Sequence, residues 1–212
     1  MTPATHTQLS LRGYVMAGGA SSRFGFDKAQ ADFDGQPMLS RICALLSEVA
    51  QSVSIVAPPG RYERLGFRTL TESSPGQGPL GGIVAALRDA RAHDPADSWC
   101  LILGCDMPFL TRAWLAYLCQ RAAAAHADVV VPSSENGLEP LCACWHTRAA
   151  GPLQLAFEEG IRKVTEAMRL LRMEILDEKD WKRFDTANRL FWNMNTQADY
   201  DEAKRMLQAE RT

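Results

Sequence analysis

Trp99-Cys100-Leu101-Ile102-Leu103 is apolar at every position. A strand with one face in water alternates, so an unbroken run predicts a strand covered on both faces, as in a parallel sheet flanked by helices. Other segments fit the same architecture. Leu11 to Ala17 and Ser52 to Ala57 are short apolar strands, and Arg68 to Leu70 is a shorter one. Val129-Val130-Val131 is a buried strand ended by Pro132, and Leu141 to Trp145 is another. Between them the period becomes helical: Met38, Leu39, Ile42, Leu45, Leu46 and Val49; then Leu80, Ile83, Val84 and Leu87; then Trp114, Leu115, Leu118 and Cys119 behind a capping Thr111. A helix or two fall within Ala150 to Leu171, and Thr196 with Asp199 has capping-box spacing ahead of Tyr200, Ala203, Met206 and Leu207. This alternation predicts an α/β fold of three layers, α/β/α, around a mostly parallel central sheet.

The chain's 212 residues suffice for one such domain, expected over 11–210, behind a polar and disordered lead at 1–10. A net charge of -2 carries no composition signal for nucleic acid. No stretch approaches the ~20 apolar residues needed to span a bilayer. The six cysteines, Cys43, Cys100, Cys105, Cys119, Cys142 and Cys144, lie mostly in apolar runs, lack zinc-ribbon spacing and follow nothing that looks like a secretory signal. Reduced, buried thiols in a cytoplasmic protein are expected.

The first apolar strand runs into Ala17-Gly18-Gly19-Ala20-Ser21-Ser22-Arg23-Phe24-Gly25-Phe26-Asp27-Lys28. Glycines directly after a buried strand let backbone N–H groups approach anionic oxygens, while Arg23 and Lys28 add positive charge to the same loop. A Walker A loop is excluded because Lys28 stands between Asp27 and Ala29. A dinucleotide fingerprint is excluded because the glycines do not alternate and the second strand ends at Ala57-Pro58 without an acidic residue. The loop is read as a phosphate-binding loop of another kind.

A second cluster, Gly76-Gln77-Gly78-Pro79-Leu80-Gly81-Gly82, opens a helix, with Pro79 suited to its first turn and small residues leaving room for a nucleoside. Asp106 follows the buried run ending at Leu103, at the strand edge where ligands gather in open α/β sheets. A carboxylate there suits Mg²⁺ shared with substrate phosphates; Glu72, Glu139 and Asn195 are candidates for a second protein ligand. Cys142 and Cys144 share one strand face and read as small buried residues, and Phe191-Trp192 as core packing rather than a ligand-stacking pair. His6, His93, His126 and His146 are assigned no chemistry.

Five blocks then carry a resemblance: Met16-Ala17-Gly18-Gly19 with Arg23, Gly25, Asp27 and Lys28; Gly78-Pro79-Leu80-Gly81-Gly82; Cys105-Asp106-Met107-Pro108-Phe109-Leu110; Glu139-Pro140-Leu141-Cys142-Ala143; and Asn193-Met194-Asn195-Thr196. Together, and in this order, they resemble the molybdenum cofactor guanylyltransferases. The resemblance implies a Rossmann-like nucleotidyltransferase fold and transfer of GMP from Mg-GTP to the terminal phosphate of molybdopterin, with pyrophosphate released. It also implies roles. Ala17, Gly18, Gly19, Gly78, Pro79 and Gly82 would line the nucleotide, with Glu72 a candidate beside them. Arg23 and Lys28 would clamp the triphosphate and act with Asp106, the metal carboxylate, in catalysis. Arg162, Lys163, Asn193 and Asn195 would hold the acceptor. The partners it suggests are small-molecule substrates, cofactor-biosynthesis proteins and molybdoenzyme chaperones, for a monomer or weak oligomer.

Two departures stand out. Leu70-Thr71-Glu72-Ser73 lacks the aspartate often found ahead of the Gly-Pro-Leu turn, and Gln197 replaces a common proline. A cytidylyltransferase, a sugar-phosphate nucleotidyltransferase and a non-catalytic nucleotide-binding regulator of cofactor insertion are the alternative readings.

Overall fold

The computed structural model describes residues 11–18, 27–71, 78–94, 98–185 and 187–209. Strands β1 (Arg12–Met16), β4 (Ser52–Ala57), β5 (Arg68–Thr71), β6 (Trp99–Gly104), β7 (Val129–Ser134), β8 (Gly137–Leu138), β9 (Cys142–His146) and β10 (Met173–Leu176) form one sheet, and β2 (Asp32–Phe33) pairs with β3 (Gln36–Pro37) in a small separate hairpin. The sheet order is β10-β7-β9-β6-β1-β4-β5, with β8 paired to β7. Its β6-β1-β4-β5 half is parallel, while β9 runs antiparallel to both neighbours.

Helices α1 (Met38–Ser47), α3 (Arg112–Ala124) and α7 (Gln197–Ala209) cover one face; α2 (Pro79–His93), α4 (Ala150–Glu158) and α5 (Val164–Ala167) cover the other, and α6 (Glu178–Trp181) follows β10. The unbroken apolar run is explained by this layering. Leu101 and Leu103 of β6 pack with Ile42, Leu46, Trp114 and Leu118, whereas Cys100 and Ile102 pack with Leu80, Ile83, Leu87 and Leu153. Each fully buried aliphatic side chain contributes roughly 1.5–3 kcal/mol, so both faces of the strand stabilise the fold.

The caps follow the sequence. Thr111 Oγ1 accepts from Trp114 N (3.2 Å) at the start of α3. At α7, Thr196 Oγ1 accepts from Asp199 N (3.2 Å) while Asp199 Oδ2 accepts from Thr196 N (2.8 Å), a reciprocal box. One boundary is corrected: β7 does not stop at Pro132 but continues to Ser134. Proline cannot donate to a ladder, but here Pro132 serves as an acceptor, its carbonyl receiving Glu139 N (2.9 Å), opposite Leu176 at the end of β10. That extension carries Ser133 and Ser134 into the β8 hairpin and brings Glu139 back to the sheet edge.

Among the described residues, no helix is long and apolar enough to cross a membrane. All six cysteines are free and buried. Burial pushes the Cys43, Cys100, Cys105 and Cys142 thiols up to about 12, which leaves them protonated and unreactive. Cys142 also accepts from Trp114 Nε1 (3.3 Å), and Phe191 packs edge-on against Trp114 and Trp181.

Candidate active site

The carboxyl ends of β1 and β6 are adjacent because the strands pair in parallel with Met16 opposite Gly104. Chain leaving the two strands therefore brings Ala17-Gly18 and Cys105-Asp106 side by side. Ala17 N donates to Val56 O (2.9 Å) and Cys105 N to Met16 O (3.3 Å), which fixes both exits. Lys28 begins a short 3₁₀ turn, Lys28–Gln30, capped by Asp27, whose Oδ1 accepts from Ala29 N (3.1 Å).

Lys28 Nζ donates to Asp106 Oδ2 at 2.6 Å, and the two side chains remain 25% and 15% exposed. Burial disfavours the ammonium, but the facing Asp106 carboxylate outweighs it and holds the Lys28 pKa above the usual lysine value. Lys28 is thus an ammonium at neutral pH, held against a carboxylate that lines the neighbouring cleft. Gly104 makes this position possible: an added Cβ would lie 2.6 Å from Asp106 Oδ1, so the carboxylate folds back over a residue without a side chain.

On the other side of Asp106 lies a cleft of about 330 Å³ lined by Pro79, Asp106, Glu139, Arg162, Lys163 and Asn193. Gly78, at φ 87°, turns the chain into α2 with Pro79 in the first helical turn, and its Cα faces the Arg162 backbone oxygen. Gly82 lies buried one turn further along the helix. Met194 N donates to Asp106 O (2.9 Å), tying the 193–195 segment to the Asp106 turn.

Glu139 is 7% exposed. Burial, with the Asp106 charge adding to it, pushes its pKa up against the hydrogen bonds it accepts from Ser134 and Asn193. Glu139 and Asn193 also line a neighbouring cleft of about 860 Å³, together with Ser134, Trp181 and Asn195. Asn195 thus lines the second cleft, and Asn193 lines both.

Arg162 and Lys163 sit between α4 and α5, Lys163 at the N-cap of α5. Arg162 Nη1 donates to the carbonyls of Phe157 (2.6 Å) and Ile161 (3.1 Å), and its guanidinium lies 4.2 Å from the Phe157 ring centre. It is exposed and caps the end of α4 in this conformation.

Of the residues singled out by sequence, Lys28, Pro79, Asp106, Arg162, Lys163 and Asn193 thus converge, with Ala17, Gly18, Gly78 and Gly82 around them. Gly19, Arg23 and Glu72 lie outside the described residues, as does the lead at 1–10. Gly104 and Ser134 were missed, since only the fold places one under Asp106 and the other on Glu139.

Among the described residues, no group of three or more His, Cys, Asp or Glu forms a protein-only metal cage. Asp106 with Glu139 nearby is instead a hard-oxygen set of the kind that holds Mg²⁺ jointly with substrate phosphates.

Known proteins resemble this chain over most of its length. The family model described as "MobA-like NTP transferase domain" matches residues 13–173. A probable molybdenum cofactor guanylyltransferase of Pelotomaculum thermopropionicum is 32% identical over 212 residues, covering 96% of this chain and 97% of that one. A molybdenum cofactor guanylyltransferase of Desulfosudis oleivorans is 32% identical over 206 residues, covering 95% and 98%. The crystal structure of molybdopterin-guanine dinucleotide biosynthesis protein A from Archaeoglobus fulgidus superposes with a TM-score of 0.81 at 24% identity, covering 94% of this chain and 100% of that one, and shows the shared fold. The chain belongs to the MobA-like NTP transferase family, among the molybdenum cofactor guanylyltransferases.

Proposed function

We propose that the protein transfers GMP from GTP to the terminal phosphate of molybdopterin, forming the guanine dinucleotide cofactor and releasing pyrophosphate. The observation that carries this reading is the placement of Asp106: it bonds Lys28 on one side and opens on the other into a cleft with Arg162, Lys163 and Asn193. Two anionic substrates can meet there with a carboxylate and cations between them.

In the reaction an oxygen of the acceptor phosphate forms a bond to the α-phosphorus of GTP, and the bond from that phosphorus to the bridging oxygen of the β-phosphate breaks. The acceptor is a phosphate monoester whose second pKa is about 6, so at neutral pH it is largely ionised and needs no strong general base. The obstacle is repulsion between anions. Lys28 supplies a positive charge to the triphosphate, on a turn held by Asp27. Arg23 is assigned the same task from the glycine loop. Arg162 and Lys163 orient the acceptor phosphate, and Asn193 and Asn195 hold the rest of that substrate. Ala17, Gly18, Gly78, Pro79 and Gly82 are assigned to the nucleotide, and Gly19 and Glu72 are given the same task from the sequence.

Asp106 would hold Mg²⁺, with Glu139 as the nearest further carboxylate; the ion, when bound, neutralises charge on the reacting and leaving phosphates. Removing one partly buried donor at such a site costs on the order of 3 kcal/mol in the transition state.

Residues 11–210 act as one nucleotidyltransferase domain, in the cytoplasm, as a monomer or weak oligomer that meets cofactor-biosynthesis proteins and molybdoenzyme chaperones. The test is label transfer: with α-³²P-GTP, Mg²⁺ and molybdopterin, label must appear in a dinucleotide, in step with pyrophosphate. Label that stays in GTP, or appears in GMP alone, would refute the transfer.

A further inference from the structure

Lys28 is held from a distance. Its turn is fixed by Asp27, whose Oδ1 accepts from Ala29 N and whose Oδ2 accepts from Gln30 Nε2 (3.0 Å). The Tyr62 hydroxyl, from the β4–β5 loop, reaches the same carboxylate at 2.9 Å from Oδ1 and 2.8 Å from Oδ2. Tyr62 has φ 64°, a left-handed backbone. The other positive-φ non-glycine residues among those described are Asp34 and Asn188, types that tolerate this region; a bulky aromatic residue rarely does. Glycine would relieve the backbone here, so the tyrosine side chain accounts for the residue. Its ring packs against the core cluster that also holds Ala29, and its hydroxyl ends on Asp27. Strained positions of this kind persist where the surroundings over-determine them and cluster at functional sites.

We infer that Tyr62 is a positioning residue for nucleotide binding: by clamping Asp27 it sets the turn that aims Lys28 at the phosphates. This rests on the reading of Lys28 as a phosphate-binding residue. Its hydroxyl is taken up by Asp27, so it acts through Asp27 and Lys28, and its effect falls on GTP and leaves the acceptor side alone.

The test is a double-mutant cycle read by calorimetry with GTP and MgCl₂, alongside melting curves and the KM for molybdopterin. Tyr62→Phe keeps the ring and removes only the hydroxyl. The expected result is GTP affinity about 10-fold weaker, the scale of one lost hydrogen bond to a charged group, with Tm and acceptor KM close to wild type. Asp27→Asn, which keeps an acceptor oxygen for the hydroxyl, is expected to lie between wild type and Tyr62→Phe. In a Lys28→Ala background, Tyr62→Phe should weaken GTP by less than about 2-fold, because coupled residues are not additive. Unchanged GTP affinity in Tyr62→Phe, or the same factor with and without Lys28, overturns the inference while leaving the role of Lys28 intact. Normal GTP affinity in Lys28→Ala alone overturns both.

Discussion

Gly104→Ala isolates the placement of Asp106 from its chemistry, because it alters the carboxylate's seat without touching the carboxylate. Gly104 ends β6 with an ordinary strand backbone, so alanine meets no conformational penalty there, and Gly→Ala at a compatible site can stabilise by about 0.4–1 kcal/mol. The new Cβ would stand 3.5 Å from Leu141 Cβ, an ordinary contact, but only 2.6 Å from Asp106 Oδ1. The backbone cannot yield easily, since Gly104 N donates to Leu141 O (2.7 Å) and Cys105 N to Met16 O. The carboxylate must therefore retreat by roughly 0.8 Å to reach van der Waals separation, and a misplacement of about 1 Å at a reacting centre can cost on the order of 100-fold. The expected result is kcat/KM lower by about 30- to 100-fold, with Tm within ~2 °C of wild type or slightly raised. Pyrophosphate release over a Mg²⁺ titration, paired with calorimetric melting, reads both quantities. Wild-type turnover with wild-type Mg²⁺ dependence would show that the seat of Asp106 is irrelevant. A large fall in Tm would show that the steric cost falls on β6 instead.

Three further outcomes follow from the same geometry. Asp106→Asn should stay folded, lose most GMP transfer and leave Lys28 without the negative charge 2.6 Å away; near-normal turnover at low Mg²⁺ would sink the metal role. Arg162→Ala should weaken molybdopterin by roughly 10- to 150-fold with GTP affinity unchanged, and Lys28→Ala should do the reverse; separate titrations that show Arg162→Ala weakening both, or neither, contradict the division of the cleft. Away from the site, Arg172 and Arg148 hold the Asp128 carboxyl down at about 2 despite the opposing effect of burial. A depressed folded pKa contributes stability above the unfolded value of about 3.9 and loses it as pH falls towards 2, so Asp128→Asn should lower Tm by roughly 2–4 °C at pH 7, after allowance for screening, with the gap closing below pH 4. A gap that stays constant from pH 7 to pH 3 would contradict this.

The fold was legible where the sequence is extreme. A run such as Trp99 to Leu103 has only one kind of environment to occupy, and Thr196 with Asp199 announced a helix start that the hydrogen bonds bear out. What escaped was local pattern overridden by tertiary pairing. Pro132 looked like a terminator because proline cannot donate, yet its strand position needs only the carbonyl. The hairpin β2–β3 and the edge strand β10 are too short to show a period, and β10 exists because β7 offers it a partner. At the site, residue types were readable but distances were not. Lys28 and Asp106 lie 78 positions apart and meet because β1 and β6 are parallel neighbours. Gly104 carries no signal of its own in the sequence; its meaning depends on how Asp106 folds back over it. Asn193 and Asn195, alike in sequence, differ in reach: both line the larger cleft, and Asn193 also lines the one at Asp106, where the segment is pinned through Met194.

The central claim, guanylyl transfer to molybdopterin, is tested most directly by one comparison. With molybdopterin as acceptor, kcat/KM is measured for GTP, CTP and ATP under the same Mg²⁺ concentration, and the dinucleotide product of each is identified by mass. Thr71 and Glu72 stand where the family resemblance leads one to expect an aspartate, so the proposed reading assigns the preference to backbone around Gly18 and Gly78 rather than to that side chain. The account predicts that GTP is used in preference to both other nucleotides and that the product carries guanine. CTP matching or exceeding GTP would contradict the assignment.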